Sequence, residues 1–197
     1  MEEREKIIYF HGFASSGASG TAQMLRRVLP EYELIAPDIP LDPREALPFL
    51  KELCEQEQPC LIIGSSMGGM YAQQMRGFRR LAVNPAFWMS RMTKALKLGT
   101  FTYLNKRKDK QMSGRVTKDI IQAFREMENH QFEGITEEDT PLCHAMFGRH
   151  DPVAHGHDTF VEHYPEEQAV WFDGEHRIND TVLKQAILPK IREMLAE

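Results

Sequence analysis

Cys60-Leu61-Ile62-Ile63-Gly64-Ser65-Ser66-Met67-Gly68-Gly69 is the stretch that decides how this chain is read. Cys60 to Ile63 is a short apolar run of the kind presented by a strand buried on both faces. The residues from Gly69 to Phe78 read as a helix. A strand, a Gly-x-Ser-x-Gly turn and a helix in direct succession form the context in which this pattern becomes a nucleophile elbow. Such a turn is sharp, strains its central serine and needs glycines where strand and helix close on each other. Ser66 then stands at the carboxyl edge of a sheet, before the first amides of a helix. A plain strand-to-helix turn capped by Ser65 and Ser66 is the alternative reading of the same residues.

Five further apolar runs surround this one: Ile7-Phe10, Glu33-Ala36, Leu81-Val83, Leu142-Phe147 and Ala169-Phe172. Most are separated by 15 to 25 residues, the room a crossover helix needs. The expectation is therefore an α/β fold: a doubly wound, six-stranded, mainly parallel sheet in the order 2-1-3-4-5-6, helices on both faces. Helical spacing marks Ala22 to Leu29. Asp42-Pro43-Arg44-Glu45 has a cap, a proline at the first position and an acid three residues on. Pro48 interrupts that pattern, so the helix is expected to restart there and run to about Glu57. The final helix, Thr181 to Leu195, follows Asn179 or Asp180 and should kink at Pro189. Nearly sixty residues separate the runs ending at Val83 and starting near Leu142, too many for one crossover. Met89, Met92 and Leu96 share one helical face, as do Ile120, Phe124 and Met127. Residues 87–140 are accordingly expected to form an inserted helical lid within a single domain of residues 1–197. Within it, Lys106 to Lys110 is the best candidate for an exposed, mobile loop.

Composition narrows the function classes. The 197 residues are 42% hydrophobic and 27% charged, as in ordinary globular proteins, and the net charge of -5 argues against nucleic acid as a partner. Cys54, Cys60 and Cys143 show no Cys-x-x-Cys spacing and read as reduced thiols. The charged segment Met1 to Lys6 precedes only a short apolar run. Neither a signal peptide nor a membrane span is expected, and the cytoplasm is the expected compartment. His150, His155, His157 and Asp158 crowd together. His155 and His157 point to different faces if helical, and no second cluster completes a coordination sphere, so neither a metal nor another cofactor is expected.

A serine hydroxyl needs an imidazole to take its proton, and the imidazole needs an orienting carboxylate. Gly148-Arg149-His150-Asp151 follows the fifth run and Asp173-Gly174-Glu175-His176 the sixth, so Asp151 and His176 fall in loops at the same sheet edge as Ser66. The chain order is serine, acid, histidine. Asp173 or Asp158 could replace Asp151, and His176 could merely cap the last helix. Oxyanion donors are expected from the backbone amide of Met67 and from that of Phe13, in the loop His11-Gly12-Phe13-Ala14-Ser15-Ser16-Gly17. His11, Gly12, Phe87 and Trp88 complete the expected site as substrate-binding residues.

Tyr9-Phe10-His11-Gly12-Phe13, the elbow around Ser66, Asn84-Pro85-Ala86 and the spaced Asp151 and His176 resemble an α/β-hydrolase, more narrowly the small bacterial YqiA-type esterases. The likeness spans nearly the whole chain. It implies an α/β-hydrolase fold lacking the first two strands, with Ser66 as nucleophile, Asp151 as acid and His176 as base. It also implies a small-molecule acyl ester or thioester as substrate. The 87–140 segment departs from the family in being longer and more basic. From Ala86 to Lys118 nine basic residues, Lys106, Arg107 and Lys108 among them, stand against Asp109 alone. That half either faces an anionic head group, with Phe87, Trp88, Met89 and Met92 lining an acyl channel, or is neutralised by the acidic half that follows. Three functions share these residues: an esterase or thioesterase, an acyltransferase, and a ligand-binding protein on a hydrolase scaffold.

Overall fold

A computed structural model describes residues 4–91 and 99–196. Six strands form the central sheet: β1 (Lys6–Phe10), β2 (Glu33–Ile35), β3 (Leu61–Ser65), β4 (Arg80–Val83), β7 (Cys143–Gly148) and β8 (Ala169–Phe172). Their order is β2-β1-β3-β4-β7-β8 and every pair is parallel, which is the order expected from the sequence.

Alternation along the strands divides the core in two. Ile8, Phe10 and Ile62 face α2 (Pro43–Glu57), α3 (Met67–Gln73), α4 (Lys118–His130) and α5 (His157–Val161), through Leu50, Tyr71, Phe124 and Phe160. Ile7, Tyr9, Leu61 and Ile63 face α1 (Gly20–Val28) and the last helix through Leu25, Leu183, Ile187 and Ile191. The inner strands β1, β3 and β4 are buried almost throughout, as these two layers require, whereas the edge strands β2 and β8 are only partly buried.

Local signals set the helix ends. Ser19 caps α1 by accepting from the Ala22 N–H, and Asp42 caps α2 by accepting from that of Arg44. Contrary to the expected restart, α2 runs through Pro48 without a break. Burial of Ala46, Leu50 and Cys54 on one face outweighs the hydrogen bond that the proline cannot make. The last helix, α6, spans 180–196 and meets Pro189 differently: a π-helical turn, Leu183–Ile187, precedes it. A widened turn makes room for the ring next to a missing donor. Among the described residues no helix is long and apolar enough to cross a membrane.

Between β4 and β7 the insertion departs from an all-helical reading. It contains α4, but also an antiparallel hairpin of β5 (Gly99–Thr102) and β6 (Ser113–Val116). Phe101 lies opposite Gly114, and a side chain on Gly114 would run into the Phe101 ring at 2.5 Å. Glycine there lets the ring lie across the partner strand. The expected helical face of Met89, Met92 and Leu96 falls partly outside the described residues.

Candidate active site

The elbow follows from close packing at Gly64 and Gly68. A Cβ on Gly64 would collide with the Gly68 carbonyl, and one on Gly68 with that of Phe10. Between them Ser66 has φ 55° and ψ -119°. Its N–H donates to Val83 O, and its carbonyl accepts from Gly69, Met70 and Ala86 N–H groups. Four backbone bonds hold a conformation that costs on the order of 1–3 kcal/mol.

The side chains singled out at the carboxyl edge meet. His176 Nε2 lies 3.0 Å from Ser66 Oγ, and His176 Nδ1 lies 2.8 Å from Asp151 Oδ2. The Asp151 side chain is only 3% exposed. Its other oxygen accepts from the Val153 and Ala154 N–H groups, so backbone fixes it as an acceptor. A carboxylate at Nδ1 puts the ring proton there and leaves Nε2 basic toward the hydroxyl. The alternative acids are engaged elsewhere: Asp173 pairs with His150 and Asp158 with His157. Among the described residues no group of three His, Cys, Asp or Glu side chains is arranged to hold a metal.

Asn84 binds the loops of this edge together, a contact that the Asn84-Pro85-Ala86 motif by itself does not spell out. Buried at φ 46°, it accepts from Gly148 N–H at 2.7 Å and donates to the carbonyls of Glu175 and His176. One amide thus ties the end of β4 to the loops carrying Asp151 and His176. The signal was there, since Asn tolerates left-handed backbone better than most residues and follows an apolar run.

The loop after β1 carries the other expected residues. A Cβ on Gly12 would lie 3.4 Å from Ser66 Cβ, so the loop abuts the serine. Ser15 N–H returns to Gly12 O, with Ala14 at φ 58°, making a tight turn around Phe13. The Met67 N–H opens α3 and has no acceptor one turn before it in the helix.

Three expectations need correction. His11 does not open onto substrate: it is 1% exposed and both ring nitrogens are bonded, Nδ1 to Gly12 O and Nε2 to the Ile39 N–H. Phe87 and Met89 are not channel walls but core, the Phe87 ring set edge-on to Phe132 at 5.3 Å. Trp88 is half-buried, donates to Thr159 and lies under the Arg91 guanidinium. The segment from Lys106 to Lys110 is not free either. Arg107 is buried, lies over the Tyr103 ring and is paired with Asp109, while Lys106, Lys108 and Lys110 are exposed. Met92 lies outside the described residues.

Neither of two cavities formed by the described residues is lined by Ser66, and only the smaller touches this centre, through Asp151. One of about 250 Å³ lies behind Asp151, between Phe147, His157 and Trp171. The other, about 530 Å³, is a groove between α2 and α4.

The fold is shared with solved α/β-hydrolases. Est1E from Butyrivibrio proteoclasticus superposes with a TM-score of 0.68 at 11% identity, covering 100% of this chain and 90% of its own. Mouse alpha/beta hydrolase domain-containing protein 10 gives 0.63 at 14%, over 99% and 92%. The methylesterase MES16 from Arabidopsis gives 0.62 at 13%, over 96% and 99%. At such identities the likeness establishes the architecture, an α/β-hydrolase sheet with flanking helices. Sequence places the chain more narrowly: the model of the Uncharacterised protein family (UPF0227) matches residues 6–190, and this protein belongs to that family.

Proposed function

We propose that this protein is a serine hydrolase that cleaves small-molecule carboxylic esters or thioesters through an acyl-Ser66 intermediate. One observation carries the reading: a left-handed Ser66 whose hydroxyl meets His176 Nε2 at 3.0 Å, with Asp151 at the far side of the ring. In the first half-reaction Nε2 takes the Ser66 proton as Oγ bonds to the acyl carbon. The carbonyl pair moves onto oxygen, where the Phe13 and Met67 amides meet the developing charge. Collapse breaks the bond to the leaving alkoxide or thiolate, which receives the proton from the imidazolium. Water repeats the sequence on the acyl-enzyme, releasing the acid and restoring Ser66. Asp151 orients the ring and stabilises the imidazolium throughout.

A methylesterase among the structural neighbours is consistent with ester chemistry. The insertion, 87–140, serves as the lid, its hairpin resting on the loop that carries Phe13. The test is labelling with a fluorophosphonate, the adduct mapped by mass, followed by a panel of acyl p-nitrophenyl esters and acyl thioesters. Labelling at Ser66 with turnover on either panel supports the reading. A serine that stays unlabelled in folded protein overturns it.

A further inference from the structure

At the turn of the β5–β6 hairpin, residues 104–108 lie directly on the loop after β1. Leu104 N–H donates to Ala14 O at 2.8 Å. Asn105 Nδ2 donates to Ser15 Oγ at 3.2 Å, and Ser16 Oγ donates to Lys106 O at 2.8 Å. The Phe13 and Phe101 rings sit 4.8 Å apart. Consecutive residues of the loop, Phe13 to Ser16, are thus each met by a residue of the insertion.

A second set of bonds passes through Asp38 and Ile39. Asp38 accepts from Gly17 N–H with one oxygen and from Lys108 N–H with the other. Ile39 gives its N–H to His11 and receives Arg107 Nη1 on its carbonyl at 3.3 Å. Both ends of the oxyanion loop, His11 and Gly17, are therefore clasped to a dipeptide whose other side is held by the hairpin. Arg107 is suited to that place, because Asp109 neutralises it and Tyr103 covers it. It can be buried as a donor without an uncompensated charge.

We infer that the hairpin turn is a positioning element for the oxyanion loop, with Arg107 its chief positioning residue; this rests on the esterase reading above. An amide that stabilises an oxyanion must be held within about half an ångström of its working place by surrounding bonds. The segment from His11 to Gly17 has no regular secondary structure and includes a left-handed Ala14, so it does not supply that rigidity itself. The insertion supplies it. Loosening the clasp should leave substrate binding alone and weaken the bonds made to the tetrahedral intermediate.

The experiment compares Arg107→Ala, Arg107→Lys and Leu104→Pro with Arg115→Ala, an exposed β6 residue, as control. Leu104→Pro removes one N–H from a residue whose side chain is 68% exposed, so it spares the core. Each variant is assayed for kcat and KM on a p-nitrophenyl ester and for inhibition by a trifluoromethyl ketone, whose adduct on serine places an oxyanion in the same hole. The expected result is a kcat loss on the order of 10²-fold with KM near wild type and inhibition weakened in step. Arg107→Lys should fall between, and Arg115→Ala should match wild type. Unchanged kcat in both Arg107→Ala and Leu104→Pro, or losses that follow only the fraction of folded protein, would overturn the inference while Ser66 still labels. A wild-type protein that neither labels nor turns over would overturn the esterase reading and the clasp together.

Discussion

Ile39 donates its backbone N–H to His11 Nε2 across 3.0 Å, and that bond fixes the tautomer of a buried histidine. Nδ1 carries the proton and gives it to Gly12 O, so the folded ring is neutral. Burial, with the Arg107 charge, pushes the pKa from 6.5 down to about 4, against the opposing pull of Gly12 O and Asp38. Unfolded His11 binds a proton near 6.5, whereas the folded ring resists until about 4. Stability is therefore whole above pH 6.5 and declines as pH falls toward 4, by on the order of 3 kcal/mol from this residue. Urea titrations at pH 7.5 and 4.5 should show a smaller pH dependence in His11→Gln than in wild type. Parallel pH dependences in the two proteins would exclude His11 as the source.

Ser66→Ala and His176→Ala should fold normally, since neither side chain is a core element. Each should lose turnover by on the order of 10⁴ to 10⁶, because the group acts as a unit. Steady-state hydrolysis of a p-nitrophenyl ester is the check, and wild-type turnover in Ser66→Ala would end the covalent mechanism.

Asp151→Asn tests whether a neighbouring acid can stand in. Asp173 is spent on His150, both side chains being exposed, and Asp158 on His157, while only Asp151 reaches His176. The amide should cost on the order of 10⁴ in kcat, the figure for losing the tautomer that such a carboxylate enforces. Asp173→Asn should be silent. A severe loss in Asp173→Asn with mild loss in Asp151→Asn would reassign the acid.

What could be read in the sequence follows a physical divide. Ile7 to Phe10 and Leu61 to Ile63 are apolar on both faces because helices cover both, and that pattern survives in one dimension. The meeting of Ser66, Asp151 and His176 was legible because parallel strands bring successive carboxyl-end loops to one rim. The hairpin was not: its strands are four residues each, and Phe101 packs against a glycine rather than an apolar partner. Arg107 resembled its lysine neighbours because the Ile39 carbonyl that receives it is 68 positions away. His11 and Phe87 read as substrate residues in the sequence because motif proximity says nothing of which side of the chain faces inward.

Arg80 and Asp139 supply the strongest stability test, at the sheet edge opposite Ser66. Arg80 opens β4 with its side chain fully buried. Its Nη1 and Nη2 donate to the two Asp139 oxygens at 2.7 and 2.8 Å, and to the Met75 and Phe78 carbonyls. Asp139 also accepts from Gly77 N–H, fastening the return of the insertion to the start of β4. Burial acts to raise the Asp139 pKa, but the hydrogen bonds and charge of Arg80 hold it below the ordinary carboxylate value. The stability it contributes is thus present at neutral pH and lost as the carboxylate protonates in acid. Asp139→Ala leaves a buried guanidinium without its counter-charge and should cost about 3–5 kcal/mol in urea denaturation. Replacing the pair together, as Arg80→Met with Asp139→Leu, should cost less than Asp139→Ala alone, because the fully buried Arg80 charge is then removed and only Arg76, partly exposed and 3.8 Å from Asp139, loses its partner. Activity per folded molecule should stay at the wild-type level in both, since the pair lies away from the carboxyl edge. A double variant less stable than the single one would mean that the pair contributes more than mutual neutralisation.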